Sequence, residues 1–248
     1  MTHAPRTAAT RDTRRIMAMI ADNLQQVRAR IARACAQAGR AVQSVTLLSV
    51  SKTFGPQAVR DAVAAGEHRF GENYVQEGID KIAALADVRP RLEWHLIGPL
   101  QSNKTRVVAE HFDWVHTIDR LKIAQRLSDQ RPTHLPPLQL CLQVNISGEA
   151  SKSGLAPQEV GGVARAIAAL PRLTLRGLMA IPEPAADFEA QRIPHRRLRE
   201  LLQALRTDGV MLDTLSIGMS ADLEAAIAEG STMVRVGTAI FGGRPAAA

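Results

Sequence analysis

The sequence is short of the features that mark several large classes of protein. It has only two cysteines, Cys35 in a helical pattern and Cys141 in a strand pattern, and they do not form a metal-binding spacing. It has no apolar run of about 18 residues, the length that crosses a bilayer, and no secretory signal at its start. These absences predict a cytoplasmic protein with two buried thiols and no membrane span.

Binding motifs for metals and nucleotides are also missing. The seven histidines lack the paired spacing of a zinc site, so no metal ligands are expected. Neither a Walker loop nor a Gly-x-Gly-x-x-Gly turn is present. An open nucleotide-binding sheet, which would need such a turn after its first strand, is therefore not favoured.

The net charge of +7 is concentrated at one end of the chain. Residues 1–40 contain eight arginines and two aspartates, whereas residues 41–248 contain 23 basic and 22 acidic side chains. No basic stripe interleaved with aromatic residues follows, and aromatic residues make up only 3% of the chain. Nucleic-acid binding is not expected, and the arginines are interpreted as a solvated helix face.

The first 40 residues divide into an arm and a helix. Residues 1–12 are polar and without periodicity, which predicts a disordered arm. Residues 13–39 carry apolar side chains at intervals of three and four, which predicts one amphipathic helix ending at Gly39. The apolar positions are Ile16, Ile20, Leu24, Val27, Ile31 and Cys35.

Eight units of strand, loop and helix follow over residues 45–243. The strands are predicted at 45–51, 68–70, 92–97, 114–118, 138–145, 173–181, 212–217 and 233–236. Asp119 is expected to cap one helix, and another is expected at 195–206, after a loop with three prolines. This alternation predicts an α/β protein whose one domain, residues 13–248, is a (β/α)8 TIM barrel with an extra N-terminal helix.

One lysine stands out at the end of the first predicted strand. Lys52 follows the apolar run 45–51 directly and precedes a loop that contains Gly55 and Pro56. A lysine whose stem is buried and whose ammonium borders a cavity can act as a nucleophilic amine that holds a carbonyl cofactor. The alternative is a lysine that extends from the strand end into solvent, and this stretch alone does not decide between the two.

Barrels carry their sites at the carboxyl ends of the strands, so the polar residues that follow each predicted strand are the candidate site. They are Lys52, Asn73, His95, Gln101, Asn145, Lys152, Ser220, Arg235, Gly237 and Thr238. The loops after the last two strands often hold a phosphate in barrels. Here Ser220 offers a hydroxyl, and Gly237 and Thr238 offer backbone amides; alternatively, Ser220 only caps its helix and the glycines only form turns.

Barrel closure places the eighth strand beside the first, so Lys52 and this phosphate site are expected to be neighbours. A cofactor with an aldehyde at one end and a phosphate at the other would bridge them. Pyridoxal 5′-phosphate (PLP) has those two ends.

Eight stretches after residue 45 resemble the pyridoxal phosphate homeostasis protein family, in the family's order. They are 50–53 (VSKT), 70–77 (FGENYVQE), 94–104 (WHLIGPLQSNK), 144–146 (VNI), 152–154 (KSG), 177–179 (GLM), 216–220 (SIGMS) and 234–242 (VRVGTAIFG). Each stretch alone is weak, but together they are very specific. The resemblance implies a monomeric barrel like the N-terminal domain of alanine racemase.

The resemblance also implies roles for individual residues. PLP would be held as a Schiff base on Lys52, its phosphate by Ser220, Gly237 and Thr238, and Arg235 would face the pyridine nitrogen. The full set of expected cofactor-binding residues is Lys52, Asn73, His95, Asn145, Met179, Ser220, Arg235, Gly237 and Thr238, with no catalytic residue and no metal ligand. Phe54 stands where members often have a second lysine, and Lys152 is interpreted either as a second amine near the mouth or as an exposed loop lysine.

Two functions are compatible with such a barrel. The family implies a carrier and regulator of intracellular PLP, with PLP-dependent apo-enzymes as transient partners and no established reaction. The alternative is an amino-acid racemase, which needs a second acid–base group from a tyrosine on an extra domain. The chain ends ten residues after Thr238 and its only tyrosine, Tyr74, opens a predicted helix, so the carrier is favoured.

Overall fold

Eight parallel strands close into a barrel in the order in which they occur along the chain. The structure, a computed structural model, describes residues 7–148 and 153–243. The strands are β1 Thr46–Val50, β2 Arg69–Glu72, β3 Glu93–Leu96, β4 Trp114–Ile118, β5 Leu138–Gln143, β6 Leu173–Met179, β7 Thr214–Ser216 and β8 Met233–Val236. β8 pairs with β1 and closes the barrel, which confirms the predicted fold.

Helices follow the strands on the outside of the barrel. They are α1 Thr7–Gln37, α2 Pro56–Ala64, α3 Val75–Ala84, α4 Thr105–His111, α5 Leu121–Gln130, α6 Pro157–Ala168, α7 Phe188–Thr207, α8 Leu223–Ala228 and α9 Thr238–Phe241. Short 3-10 turns lie at Val42–Ser44, Arg89–Arg91 and Ser102–Lys104. Among these described helices, none is both long and apolar enough to cross a bilayer.

The prediction of a disordered arm over residues 1–12 was wrong for the part that the structure describes. Helix α1 begins at Thr7, not at residue 13, because the alanines and arginines of this segment favour helix. Residues 1–6 lie outside the described residues. Ile16, assigned to the packed face, is 48% exposed, so that face begins at Ile20.

Helix α7 also begins earlier than predicted. It starts at Phe188 and contains Pro194, which had been assigned to the preceding loop. The Asp187 side chain accepts a hydrogen bond of 2.9 Å from the Ala190 amide and so supplies the cap that starts the helix. His195, the predicted first residue, is instead buried in the second turn of the helix.

Three further local predictions differ from the structure. Asp119 does not cap α5, which follows Arg120 without a side-chain cap. β2 continues to Glu72, because that carboxylate is buried and paired and does not mark a loop. The segment after β8, predicted as a loop, contains the four-residue helix α9.

Apolar side chains fill two layers. The larger layer lies between strands and helices, and the smaller one, inside the barrel, contains Leu48, Val50, Ile97, Trp114, Cys141, Met179 and Met233. Each fully buried large side chain contributes roughly 1.5–3 kcal/mol. Cys35 and Cys141 are both buried free thiols, as predicted.

Helix α1 is the addition outside the eightfold repeat. Its apolar face packs against α2, α8 and α9, and so covers the outside of the barrel where the first and last units meet. The Asn23 amide donates a 2.9 Å hydrogen bond to the Ile240 carbonyl of α9. The Arg40 guanidinium donates to the Ile227 carbonyl in α8 at 2.7 Å.

Gly177 is expected to be intolerant of even one added methyl group. A Cβ there would overlap the carbonyl oxygen of Thr214 on the neighbouring strand β7. We expect Gly177→Ala to lower the free energy of unfolding by about 2–3 kcal/mol or more. The control is Gly162→Ala in α6, where a Cβ meets no atom within 4 Å and should be neutral or stabilising. Equal urea midpoints for the two variants would contradict this packing.

Candidate functional site

Six of the predicted site residues line one cavity at the carboxyl end of the barrel. The cavity has a volume of about 460 Å³. Its polar wall is formed by Lys52, Asn73, Ser220, Arg235, Gly237 and Thr238. Its apolar wall includes Val50, Phe54, Ile97, Ile181 and Met219. Lys52, which follows β1, therefore borders the same cavity as Gly237 and Thr238, which follow β8.

The remaining predicted residues lie elsewhere. Asn145 lines a neighbouring cavity of about 290 Å³ that shares the side chains of Asn73, Ile97 and Ile181 with the first. His95 and Met179 are buried inside the barrel and line neither cavity. Gln101 is exposed and also lines neither, and Lys152 lies outside the described residues.

His95 is counted among the polar residues predicted at the strand ends, although it lies inside the predicted strand 92–97. The structure puts it in the third position of β3, with its ring stacked on Trp114 at a centroid distance of 5.2 Å. Its side chain points into the barrel and bonds to Glu93 and His116. This position does not support the prediction that His95 contacts a ligand in the cavity.

A buried lysine holds the backbone next to Lys52. The ammonium of Lys81, on α3, is buried and donates three hydrogen bonds of 2.7 Å, to the Ser51 carbonyl and to the carboxylates of Glu72 and Glu77. Burial raises the pKa of Glu72, although the charge of Lys81 opposes that shift. The sequence signal that could have revealed this cluster is the i,i+4 spacing of Glu77 and Lys81.

The same cluster fixes both residues that flank Lys52. The Ser51 hydroxyl donates to Glu72 at 2.6 Å, and the Thr53 amide donates to Glu77 at 2.5 Å. Thr53 has φ of 69°, a conformation that is costly for a β-branched residue and that this amide bond helps to hold. Within the described part of the chain, no carboxylate lies at ion-pair distance from the half-buried Lys52, so its amine is available to the cavity.

The opposite wall is held from outside the barrel by α1. The Arg30 guanidinium donates to the Ser220 carbonyl at 2.8 Å and pairs with Glu224 on α8 at 2.5 Å. The Met219 amide donates to Asp222 at 2.7 Å, and α8 begins only after Asp222. Ser220 is therefore not the cap of its helix.

Gly237 directly follows β8 and lies against Val50, the last residue of β1. A Cβ at this position would come within 3.1 Å of the Val50 carbonyl oxygen, so a side chain would crowd the first strand. Gly237 and Thr238 both line the cavity. Thr238 is exposed and begins α9, whose Ile240 carbonyl accepts the hydrogen bond from Asn23 of α1.

Arg235 is a fully buried cation at the floor of the cavity. It donates to the Ser216 carbonyl at 2.5 Å, to the Ser216 hydroxyl at 2.8 Å and to the Ala180 carbonyl at 3.0 Å. Burial lowers the pKa of Arg235 to about 10, so the guanidinium remains charged at neutral pH. In the described residues, no cluster of three metal-ligating side chains accompanies it.

The fold and the site define a class of cofactor-binding barrels. Such a barrel has parallel strands, a lysine after the first strand, and a loop after the last strand whose backbone amides can bind an anion. The family model of the alanine racemase N-terminal domain matches residues 20–245. A pyridoxal phosphate homeostasis protein of Pseudomonas aeruginosa is 61% identical over 228 residues, covering 92% of this chain and 97% of that protein. The protein of the same name from Escherichia coli K12 is 57% identical over 226 residues, with coverages of 91% and 97%.

A solved structure agrees with these matches. PipY of Synechococcus elongatus, determined with PLP bound, is 36% identical, covers 90% of this chain and 100% of its own, and superimposes with a TM-score of 0.78. The chain belongs to the pyridoxal phosphate homeostasis protein family.

Removing the cation of the buried cluster should be costly. Lys81→Met leaves the Glu72 carboxylate buried without its counter-ion, and we expect a loss of about 3–5 kcal/mol in the free energy of unfolding at neutral pH. Arg60→Met, which removes the exposed pair with Asp87 at 2.7 Å, is the control and should cost much less. Urea unfolding of both variants measures the difference.

The loss should also depend on pH. A carboxyl whose pKa is raised by folding stabilises the folded state at low pH, and that contribution is lost as pH rises through the raised pKa. Without Lys81 the pKa of Glu72 should rise further, so the deficit of Lys81→Met should shrink between about pH 7.5 and about pH 5. A deficit independent of pH would show that the ionised Glu72 is not its cause.

Proposed function

We propose that this protein binds PLP, holds it as a Schiff base on Lys52 and serves in the homeostasis of intracellular PLP. The observation that carries the proposal is the single cavity lined by the Lys52 amine, the Arg235 guanidinium, and the Ser220 and Gly237 segments. The names of the close relatives and the PLP in the PipY structure support the same function.

The residues of the cavity fit the chemistry of this cofactor. The Lys52 amine has no carboxylate partner in the described residues, and it suits an aldehyde. The Ser220 hydroxyl and the backbone amides of Gly237 and Thr238, all from residues that line the cavity, suit a phosphate. Asn73 has a buried side-chain oxygen without a hydrogen-bond partner in the described structure, which leaves one acceptor for a ligand group.

Bound PLP would supply an electrophilic aldehyde and an electron-withdrawing ring. The Lys52 nitrogen would attack the aldehyde carbon, so that a C=N bond forms and water leaves; the addition of water reverses the step and frees the cofactor. Ser220, Gly237 and Thr238 would fix the phosphate end, and Arg235 would lie at the ring nitrogen. Lys81 would keep the Lys52 backbone in place during both steps.

The residues around the cavity favour a carrier over an enzyme. A guanidinium next to the ring nitrogen would keep that nitrogen unprotonated and so weaken the electron sink on which transamination relies. Tyr74, the only tyrosine of the sequence, is 63% exposed and lines neither cavity, so it is not placed to act as a second acid. We therefore infer that the protein stores or hands on PLP, as a monomer in the cytoplasm with transient contacts to apo-enzymes, and does not turn over amino acids.

Lys52→Ala is expected to abolish covalent attachment while leaving the fold intact, because its side chain forms no ion pair with the residues that the structure describes. Borohydride reduction of the PLP-loaded protein followed by peptide mass mapping should place the adduct on Lys52. Lys104→Ala, which removes an exposed lysine at the end of a 3-10 turn, is the control and should keep the full adduct. An adduct mainly on Lys104 or Lys152 would overturn the assignment.

Carrier and racemase are separated by turnover. The PLP-loaded protein should reactivate an apo PLP enzyme and should not interconvert L- and D-alanine, because loss of one general acid typically costs 10²- to 10⁴-fold in rate. Chiral chromatography after incubation with each isomer measures the second property. Racemisation at about 1 per second or faster, within the usual range of enzymes, would overturn the carrier proposal.

A further inference from the structure

A continuous file of polar side chains crosses the interior of the barrel beneath the cavity. It runs from Glu93 and His95 on β3, through His116 on β4 and Ser216 on β7, to Arg235 on β8. The successive contacts are 2.8 Å from Glu93 to His95, 2.9 Å from His95 to His116, 2.9 Å from His116 to Ser216 and 2.8 Å from Ser216 to Arg235. We call these five residues the interior relay.

The interior relay connects two ends of the barrel. Glu93 is the first residue of β3, and its side chain is 38% exposed. Arg235 lines the cavity at the opposite end, and His95, His116, Ser216 and Arg235 are all buried. Buried polar groups of this kind are costly unless every one is hydrogen-bonded, and here each of them is.

The donor and acceptor of each contact follow from the two charged ends. An arginine only donates and an ionised carboxylate only accepts. Burial lowers the pKa of both His95 and His116, so both rings are neutral at neutral pH. His95 must then donate from Nε2 to Glu93 and accept at Nδ1. His116 in turn donates from Nε2 to His95 and accepts the Ser216 proton at Nδ1.

Protonation of His95 would reverse these hydrogen bonds and leave one proton without an acceptor. If His95 were protonated, His116 would have to donate to Ser216, whose hydroxyl oxygen already accepts from Arg235. The Ser216 proton would then need another acceptor, and the hydroxyl contacts only His116 and Arg235 in the described structure. A second cation would also lie in the same buried interior as Arg235. The neutral arrangement satisfies every group.

In this arrangement all four hydrogen bonds run from the cation towards the anion. Hydrogen bonds that share one direction polarise and strengthen one another. We propose that Glu93, His95 and His116 are positioning residues for Arg235, and that the charge of Glu93 at one end of the barrel acts on the cavity at the other. The proposal rests on the proposed function, in which Arg235 lies at the ring nitrogen of PLP.

Glu93 is the member of the interior relay that solvent can reach. It is faced by His95, by Arg69 on β2 at 3.3 Å and by Arg176 on β6, whose guanidinium lies 5.0 Å from the Trp114 ring centroid. Asp113, just before β4, adds a negative charge that acts on His95. Burial alone would raise the pKa of Glu93, but the bond from His95 and the charge of Arg69 outweigh it and hold that pKa below its usual value.

The first test needs no cofactor. Long-range nitrogen NMR of the apo-protein with ¹⁵N-histidine should show His95 and His116 neutral at neutral pH, with the proton of each ring on Nε2. In Glu93→Gln, which removes the charge but keeps an acceptor, the Arg235 side-chain protons should exchange faster with solvent. A proton on Nδ1 of either ring, or unchanged Arg235 exchange, would overturn the proposal.

The second test measures the absorbance and the affinity of PLP bound in the cavity. Glu93→Gln and His116→Phe should shift the absorbance band of bound PLP and weaken its affinity about fivefold or more. The control is Cys141→Ala, which alters a side chain buried in the same interior but outside the relay, and it should leave both properties unchanged. If PLP binds to the wild-type protein and Glu93→Gln matches it in both properties, the relay does not act on the cavity. If PLP does not bind to the wild-type protein, the proposed function fails, and the NMR test still decides the hydrogen-bond order.

Discussion

The pairing of β1 with β8 is the contact on which the candidate site depends. Leu48 lies opposite Arg235 and Ser49 opposite Val236, so the ends of the first and last strands are side by side although about 185 residues separate them. The close approach of Gly237 to Val50 is part of the same closure. Without it, a lysine at residue 52 and an amide-rich loop at residue 237 would have no cavity in common.

Two buried polar networks lie on either side of this seam. The Lys81 cluster supports the loop that carries Lys52, and the interior relay supports Arg235 from below. Each contains a charge that is costly to bury, and each compensates by placing an opposite charge within the same hydrogen-bonded set. The barrel interior is therefore only partly an apolar core, and its polar part lies under the cavity.

Much of the fold could be predicted because each unit repeats the same pattern of apolar strand, loop and helix. The proximity of Lys52, Ser220 and Gly237 could be predicted from closure of the barrel, because each of these residues follows the end of a strand. What could not be predicted depends on depth along a strand and on partners far away in sequence. His95 lies one position before the end of β3 and faces the interior, and Lys81 gains its role only when α3 packs under the loop after β1.

The N-terminal helix illustrates how an element outside the repeat can matter to the site. α1 donates hydrogen bonds to the Ser220 carbonyl through Arg30 and to the Ile240 carbonyl of α9 through Asn23, so the segments that contribute Ser220 and Thr238 to the cavity are attached to one helix. Linkage requires such coupling to be reciprocal. A ligand that orders these two segments must also stabilise the docking of α1. Detachment of α1 must weaken the binding of that ligand by the same free energy. The helix and the cavity wall thus form a single thermodynamic unit.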